Sequence, residues 1–121
     1  MIGVLLVDDH HAVRRVMRAL LERSGKVEVV GEASNGVEAV EQAAKLKPDV
    51  VVMDVKMPQM DGLQATKAIL SNEPNTRVVL ISVYSAAELE ESVFQAGAIA
   101  IVPKQAASAE LLPAVQMAVT R

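Results

Sequence analysis

Five short apolar runs rich in β-branched residues recur along the chain, at residues 2–7, 27–33, 50–53, 78–81 and 99–102. Several are continuously apolar rather than alternating, the pattern of strands covered on both faces. Between them the period becomes helical. Val13, Val16, Met17, Leu20 and Leu21 stand at i, i+3, i+4, i+7 and i+8, one stripe of a helix that Ser24-Gly25 stops. A second helix is predicted over residues 36–46, ended by Lys47-Pro48, and a third over 63–70, ahead of Asn72, Glu73 and Pro74. A fourth over 86–96 closes at Gly97, with Leu89 and Val93 toward the core. The last starts at about Ser108, a candidate N-cap, and carries Leu111, Leu112, Val115 and Val119 on one stripe. Pro113 is expected near its first turn, where a missing N–H costs little.

Strand and helix alternate five times. The fold class this predicts is α/β, a doubly wound parallel sheet with helices on both faces and right-handed crossovers. Its 121 residues suit one domain over 1–121, with no internal repeat, linker or second folded unit.

Composition narrows the functions. Half of the chain is hydrophobic, but the aromatics are only Tyr84 and Phe94, so the core must be aliphatic and base stacking is almost unavailable. The Met residues are read as gap-filling core. A net charge of −3 gives no basic field, and direct nucleic-acid binding by this segment is not expected. Cysteine is absent, which removes disulfides, thiolate metal sites and thiol nucleophiles. The N-terminus reads as neither signal peptide nor anchor, and no segment approaches a membrane span. A cytoplasmic domain is the expectation.

In an open parallel sheet, ligands collect at the carboxyl ends of the strands. Strand 1 ends in Asp8-Asp9, strand 3 in Asp54 and strand 4 in Ser82, and Lys104 follows strand 5. Any one of these polar residues has an ordinary explanation, since strands give way to loops there. Together they are harder to dismiss: three carboxylates held close repel, and their pKa values rise unless compensated. A hard divalent cation with oxygen ligands resolves the conflict, and magnesium keeps waters that phosphate can replace. A carboxylate beside magnesium can attack phosphorus to give an aspartyl phosphate. Asp54, on a central strand, is the candidate nucleophile, and the adjacent Asp8 and Asp9 suit the metal. Lys104 and the Ser82 hydroxyl can serve the phosphoryl oxygens.

The segments LLVDDH, VVMDVKMPQMDG, VVLISVYS and AGAIAIVPK, in that order, resemble receiver domains of two-component response regulators. The resemblance covers essentially the whole chain. The spacings from Asp54 to Ser82 and to Lys104 are similar to those of the subfamily with a C-terminal helix-turn-helix, the LuxR/NarL type. It implies a flavodoxin-like (βα)5 fold with strand order 2-1-3-4-5. It also implies a phosphorylation-dependent switch, fed by a sensor histidine kinase with Mg2+, either as the N-terminal part of a transcription regulator or standing alone. Asp9, Asp54 and the Lys56 backbone carbonyl would bind the metal, with Asp8 acting through water. Asp54 would accept the phosphoryl group, Ser82 would move toward it, and Lys104 would contact it. Such a domain is a phosphoacceptor with slow autodephosphorylation rather than an enzyme acting on other substrates. Met57-Pro58 and Asp61-Gly62 would shape the loop beyond the acceptor, with Gly62 permitting a tight turn. Lys56 and Tyr84 stand where the family tunes dephosphorylation, and both are expected to lengthen the phosphorylated state. His10 is read as a loop residue and His11 as the opening of the first helix, neither as a phosphoryl carrier.

The chain departs from the pattern at Ile101, where receivers commonly have Tyr or Phe. The usual aromatic readout is then missing. Ile101, Val102 and Pro103 either form an apolar edge open to a partner, or Ile101 simply packs. Gln105 follows Lys104 where many receivers have a cis proline, so no cis bond is implied there. A homodimer through the helix 4/strand 5/helix 5 face is one expectation for assembly. The alternative function is a phosphorylation-independent pseudo-receiver used as a docking module. A magnesium-dependent phosphatase would need a second Asp two residues after the nucleophile, and Lys56 stands there.

Overall fold

The apolar runs become five strands and the stretches between them five helices. In chain order these are β1 (Ile2–Val7), α1 (His11–Glu22), β2 (Val27–Ala33), α2 (Gly36–Leu46), β3 (Val50–Asp54), α3 (Gly62–Asn72), β4 (Arg77–Ser82), α4 (Ala86–Ala96), β5 (Ala100–Pro103) and α5 (Ala107–Val119). The structure, a computed structural model, describes residues 1–83 and 86–120, with Ala86 described in its backbone alone. All strand pairs are parallel, and the order across the sheet is β2-β1-β3-β4-β5.

Alternate residues of each strand feed two separate cores. Leu5, Val7, Val51, Met53, Val78 and Leu80 meet Ala39 and Ala43 of α2, Ala65 and Ile69 of α3 and Val93 of α4. Val4, Leu6, Val50, Val52, Val79 and Ile81 meet Met17 and Leu21 of α1 and Leu111, Val115 and Ala118 of α5. This two-sided burial is why the central strands lack a polar alternate face. The edge strand β2 does alternate, with Glu28 and Val30 exposed.

Strand β3 ends on Asp54, as the order of residues predicts. Three other expectations need correction. Ser108 is not the cap of α5: a 3-10 turn over Lys104–Ala106 leads straight into the helix at Ala107, whose N–H bonds to the Lys104 carbonyl. Pro113 therefore lies inside α5 rather than in its first turn. Val16 and Val119, placed on buried stripes by spacing, are largely exposed, while Ala118 takes the inward position beside Val115. Leu89 packs against the core and Val93 is fully buried, as the spacing predicts. No cis peptide bond occurs among the described residues. None of the described helices is long and apolar enough to cross a membrane.

Candidate functional site at the sheet edge

The chain winds outward from β1 to β2, then returns to β3 on the other side of β1. The carboxyl ends of β1 and β3 thus border the point where the winding direction changes, which is where ligands bind in open α/β sheets. Asp8, just past β1, is fully buried, and Asp54, ending β3, is 5% exposed. Ser82 ends β4 and is buried one position beyond the level of Asp54, since Asp54 pairs with Ile81 in register.

Lys104 closes the arrangement. Its ammonium donates to Asp54 Oδ2 at 3.0 Å and lies 3.0 Å from Asp8 Oδ2. The second contact pairs the same ammonium with the buried Asp8, so Lys104 serves both carboxylates at once. Burial raises the pKa of Asp54, and the neighbouring Asp8 adds to this; Lys104 and the Lys56 N–H, 3.3 Å from Oδ1, only partly offset it. For Lys104, burial favours losing the proton, but the carboxylates of Asp54 and Asp8 outweigh it and the pKa is raised. The ammonium is therefore firmly charged at neutral pH.

The loop from β3 to α3 is held by backbone geometry. Asp61 caps α3, accepting from the Gln64 N–H at 2.8 Å while the Gln64 side chain accepts from the Asp61 N–H, a reciprocal capping box. The left-handed residue of this loop is Gln59, with φ of 68°, and not Gly62. Gly62 is required for a different reason: a Cβ there would stand 2.3 Å from the Asp54 carbonyl oxygen. Its N–H donates to the Val55 carbonyl at 2.7 Å, drawing the start of α3 against the end of β3. Met57 turns into the core.

Asp9 lies at the rim beside His10, whose Nδ1 is 3.1 Å from Asp9 Oδ1 and 3.2 Å from Asp8 Oδ1. Spacing had left His10 without a task; its position directly after two acids was the available signal. The structure also brings in Arg14, which donates to the Asp8 carbonyl and to Glu32 at 2.8 Å, and Arg18, also 2.8 Å from Glu32. Hydrogen bonding from Arg18 and Arg14 lowers the pKa of Glu32 despite its partial burial. The i, i+4 pair of arginines on α1, off its apolar stripe, was the sign of this second face.

Ile101 is half-buried against the core beneath α2, α3 and α4, while Val102 is buried on the opposite face of the sheet. The two therefore do not form one continuous apolar edge, because adjacent strand residues point to opposite sides. Lys56 is exposed in the loop that follows β3. Tyr84 lies outside the described residues.

Two buried carboxylates share one ammonium at this edge, and a third, Asp9, lies at the rim beside His10. A hard divalent cation with oxygen ligands fits that donor set. The fold and site define an α/β protein with a polar ligand site at its topological switch point.

The family pattern described as the response regulator receiver domain matches residues 4–116. The chain belongs to that family. It is 41% identical over 117 residues to the response regulator GacA of Pseudomonas viridiflava, covering 97% of this chain and 55% of that protein. It is 39% identical over 118 residues to the transcriptional regulatory protein LiaR of Bacillus subtilis, covering 98% and 56%. The chain thus spans about half the length of these curated relatives. The signal receiver domain of the putative response regulator NarL from Mycobacterium tuberculosis superposes with a TM-score of 0.93 at 36% identity, over 98% of this chain and 96% of that one.

Proposed function

We propose that the chain is a phosphorylation-dependent switch that accepts a phosphoryl group on Asp54 from a sensor histidine kinase in the presence of Mg2+. The observation that carries this reading is the Lys104 ammonium held 3.0 Å from both Asp54 and Asp8 at the carboxyl edge of the sheet.

In the reaction, an Asp54 carboxylate oxygen attacks phosphorus as the P–N bond to the kinase's phosphohistidine breaks. The bonding pair stays on the imidazole nitrogen, which takes up a proton. Asp54 must be ionised to attack, and Lys104 with the Lys56 N–H favours that form against burial. After transfer the Lys104 ammonium is within reach of a phosphoryl oxygen, and the Ser82 hydroxyl can donate to another. Asp9, Asp54 and the Lys56 carbonyl would hold the metal, with Asp8 through water, and the ion would neutralise charge on the transferred group. Lys56 and Tyr84 belong to the proposal as modulators of phosphate lifetime.

The relatives support a place for the chain as part of a transcription regulator; the proposal extends to a stand-alone receiver and to a cytoplasmic setting. Phe94 of α4 and Met117 of α5 are exposed and support a homodimer through the α4/β5/α5 face.

The test is incubation with Mg2+ and acetyl phosphate, followed by intact-mass measurement and by phosphate release, for the wild type and Asp54→Ala. One phosphoryl group per wild-type chain, absent from Asp54→Ala, is expected. Continuous turnover would indicate a phosphatase. No labelling by acetyl phosphate or by any histidine kinase would leave the docking module, a reading that Ile101 favours.

A further inference from the structure

We propose that Arg14 is a positioning residue for Asp9: it fixes the Asp8–Asp9 peptide and through it aims Asp9 at the divalent ion. The inference rests on the metal site proposed above and deepens it, by naming what orders the ligand at its rim.

The need arises where β1 runs out. The strand ends at Val7, and α1 begins at His11. Asp8 is fully buried, its carboxylate is paired with Lys104, and its N–H bonds to the Ala33 carbonyl at 3.1 Å. Its own carbonyl accepts from Nη1 of Arg14, on α1. That oxygen lies in the plane of the Asp8–Asp9 peptide, so a donor that fixes it fixes the plane from which Asp9 departs. Asp9 itself stands at the rim, with its side chain 30% exposed.

Arg14 can do this because it is itself anchored. Its Nε donates to Glu32 of β2 at 2.8 Å, and its side chain is 14% exposed. A planar fork gripped at one nitrogen and used at another has little freedom left, which the single ammonium of a lysine does not reproduce. Glu32 is the fixed point. Arg18 also donates to it, from Nη2 at 2.8 Å, and the bonds from both arginines keep its carboxyl below the ordinary range and charged at neutral pH.

The competing account is a staple. Arg14, Arg18 and Glu22 stand at i, i+4 and i+8 along α1. Arg18 pairs with Glu22 at 3.6 Å, and Glu22 accepts from the Val29 N–H of β2 at 3.1 Å. The row clasps the helix to the edge strand, and Arg14 could serve that end alone. The two arginines tell the accounts apart. Among the described residues both bond to Glu32, whereas Arg14 alone of the pair reaches Asp8.

Mg2+ titrations followed by amide NMR shifts, with urea denaturation in metal-free buffer, decide between them. The proteins compared are the wild type, Arg14→Ala, Arg14→Lys, Arg18→Ala and Asp9→Asn. We expect Arg14→Ala and Arg14→Lys each to weaken Mg2+ binding on the order of tenfold, the usual cost of losing a partner that orients a metal ligand. Arg18→Ala should change Mg2+ affinity by less than about twofold, whatever stability it loses in urea. If Arg14→Ala does not fold, Arg14→Lys carries the comparison. The inference is overturned if the two arginine positions weaken Mg2+ equally, if Arg14→Ala leaves the affinity unchanged, or if Arg14→Lys retains that of the wild type. Weaker Mg2+ binding by Asp9→Asn alongside any of those results would leave the metal site standing and remove only the role of Arg14. A wild type that bound no Mg2+ would remove both.

Discussion

Asp54 sits between opposing influences: burial and Asp8 disfavour its charge, while Lys104 and a backbone N–H favour it. The balance raises its pKa above the ordinary 3.8, so the folded chain holds a proton on Asp54 more readily than the unfolded chain does. Such a group's contribution to stability is fully present below the unfolded pKa and is lost as pH rises through the folded one. At neutral pH the ionised side chain is therefore a cost, which binding charge can relieve. Asp54→Asn, a neutral isostere, is expected to be more stable than the wild type at pH 7 in a metal-free buffer. The gap should close as pH falls toward 3.8, and urea denaturation across that range measures it. Added Mg2+ should stabilise the wild type and not the variant. A gap that did not change with pH would mean that burial is not what raises the pKa. Residue types and order were enough to pick out Asp54, Asp8 and Lys104, because strand ends in a parallel sheet converge on one edge. The contact of the His10 ring with Asp8 and Asp9 was not legible in the same way, since it depends on side-chain placement that spacing does not carry.

At the scale of elements, the start of α3 is locked against the end of β3 through Gly62. A methyl group on Gly62 would come within 2.3 Å of the Asp54 carbonyl oxygen and 2.9 Å of Val55 Cα, both backbone atoms that cannot rotate away. Either α3 slides outward or β3 tilts, and both movements shift Asp54 relative to Lys104. Gly62→Ala is expected to cost about 1–3 kcal/mol in urea denaturation, typical of overpacking, and to slow labelling by acetyl phosphate. Full stability with normal labelling would show that the loop gives way freely. The sequence pattern marked this glycine, but for a tight turn; the left-handed residue is Gln59, three positions earlier. Turn chemistry names the residue, whereas close approach between two backbones depends on tertiary placement. The start of α5 was misjudged for a related reason. A 3-10 turn at Lys104–Ala106 leads into the helix, so the polar Ser108 was never needed as a cap.

Across the whole molecule, a rigid sheet separates two cores that share no helix. Continuous apolar runs made this legible, since only a sheet covered on both sides has no use for alternation. One strand such as β4 sends Leu80 to one core and Val79 and Ile81 to the other. The face bearing α2, α3 and α4 carries Ile69, and the face bearing α1 and α5 carries Leu111, each fully or almost fully buried. Ile69→Ala and Leu111→Ala should each cost about 2–5 kcal/mol, the range for emptying such a site. Their effects should also add, to within about 0.5 kcal/mol, because Ile69 and Leu111 belong to separate clusters on opposite faces of the sheet. A double-mutant cycle in urea, built on milder Ile69→Val and Leu111→Val changes if the alanine pair fails to fold, measures the coupling. Additivity would mean that strain on one face does not cross the strands. A change at Asp54 would then reach the helices only around the carboxyl edge, through the loop at Gly62 and the turn at Lys104. Coupling well above 0.5 kcal/mol would instead make the sheet itself part of the path.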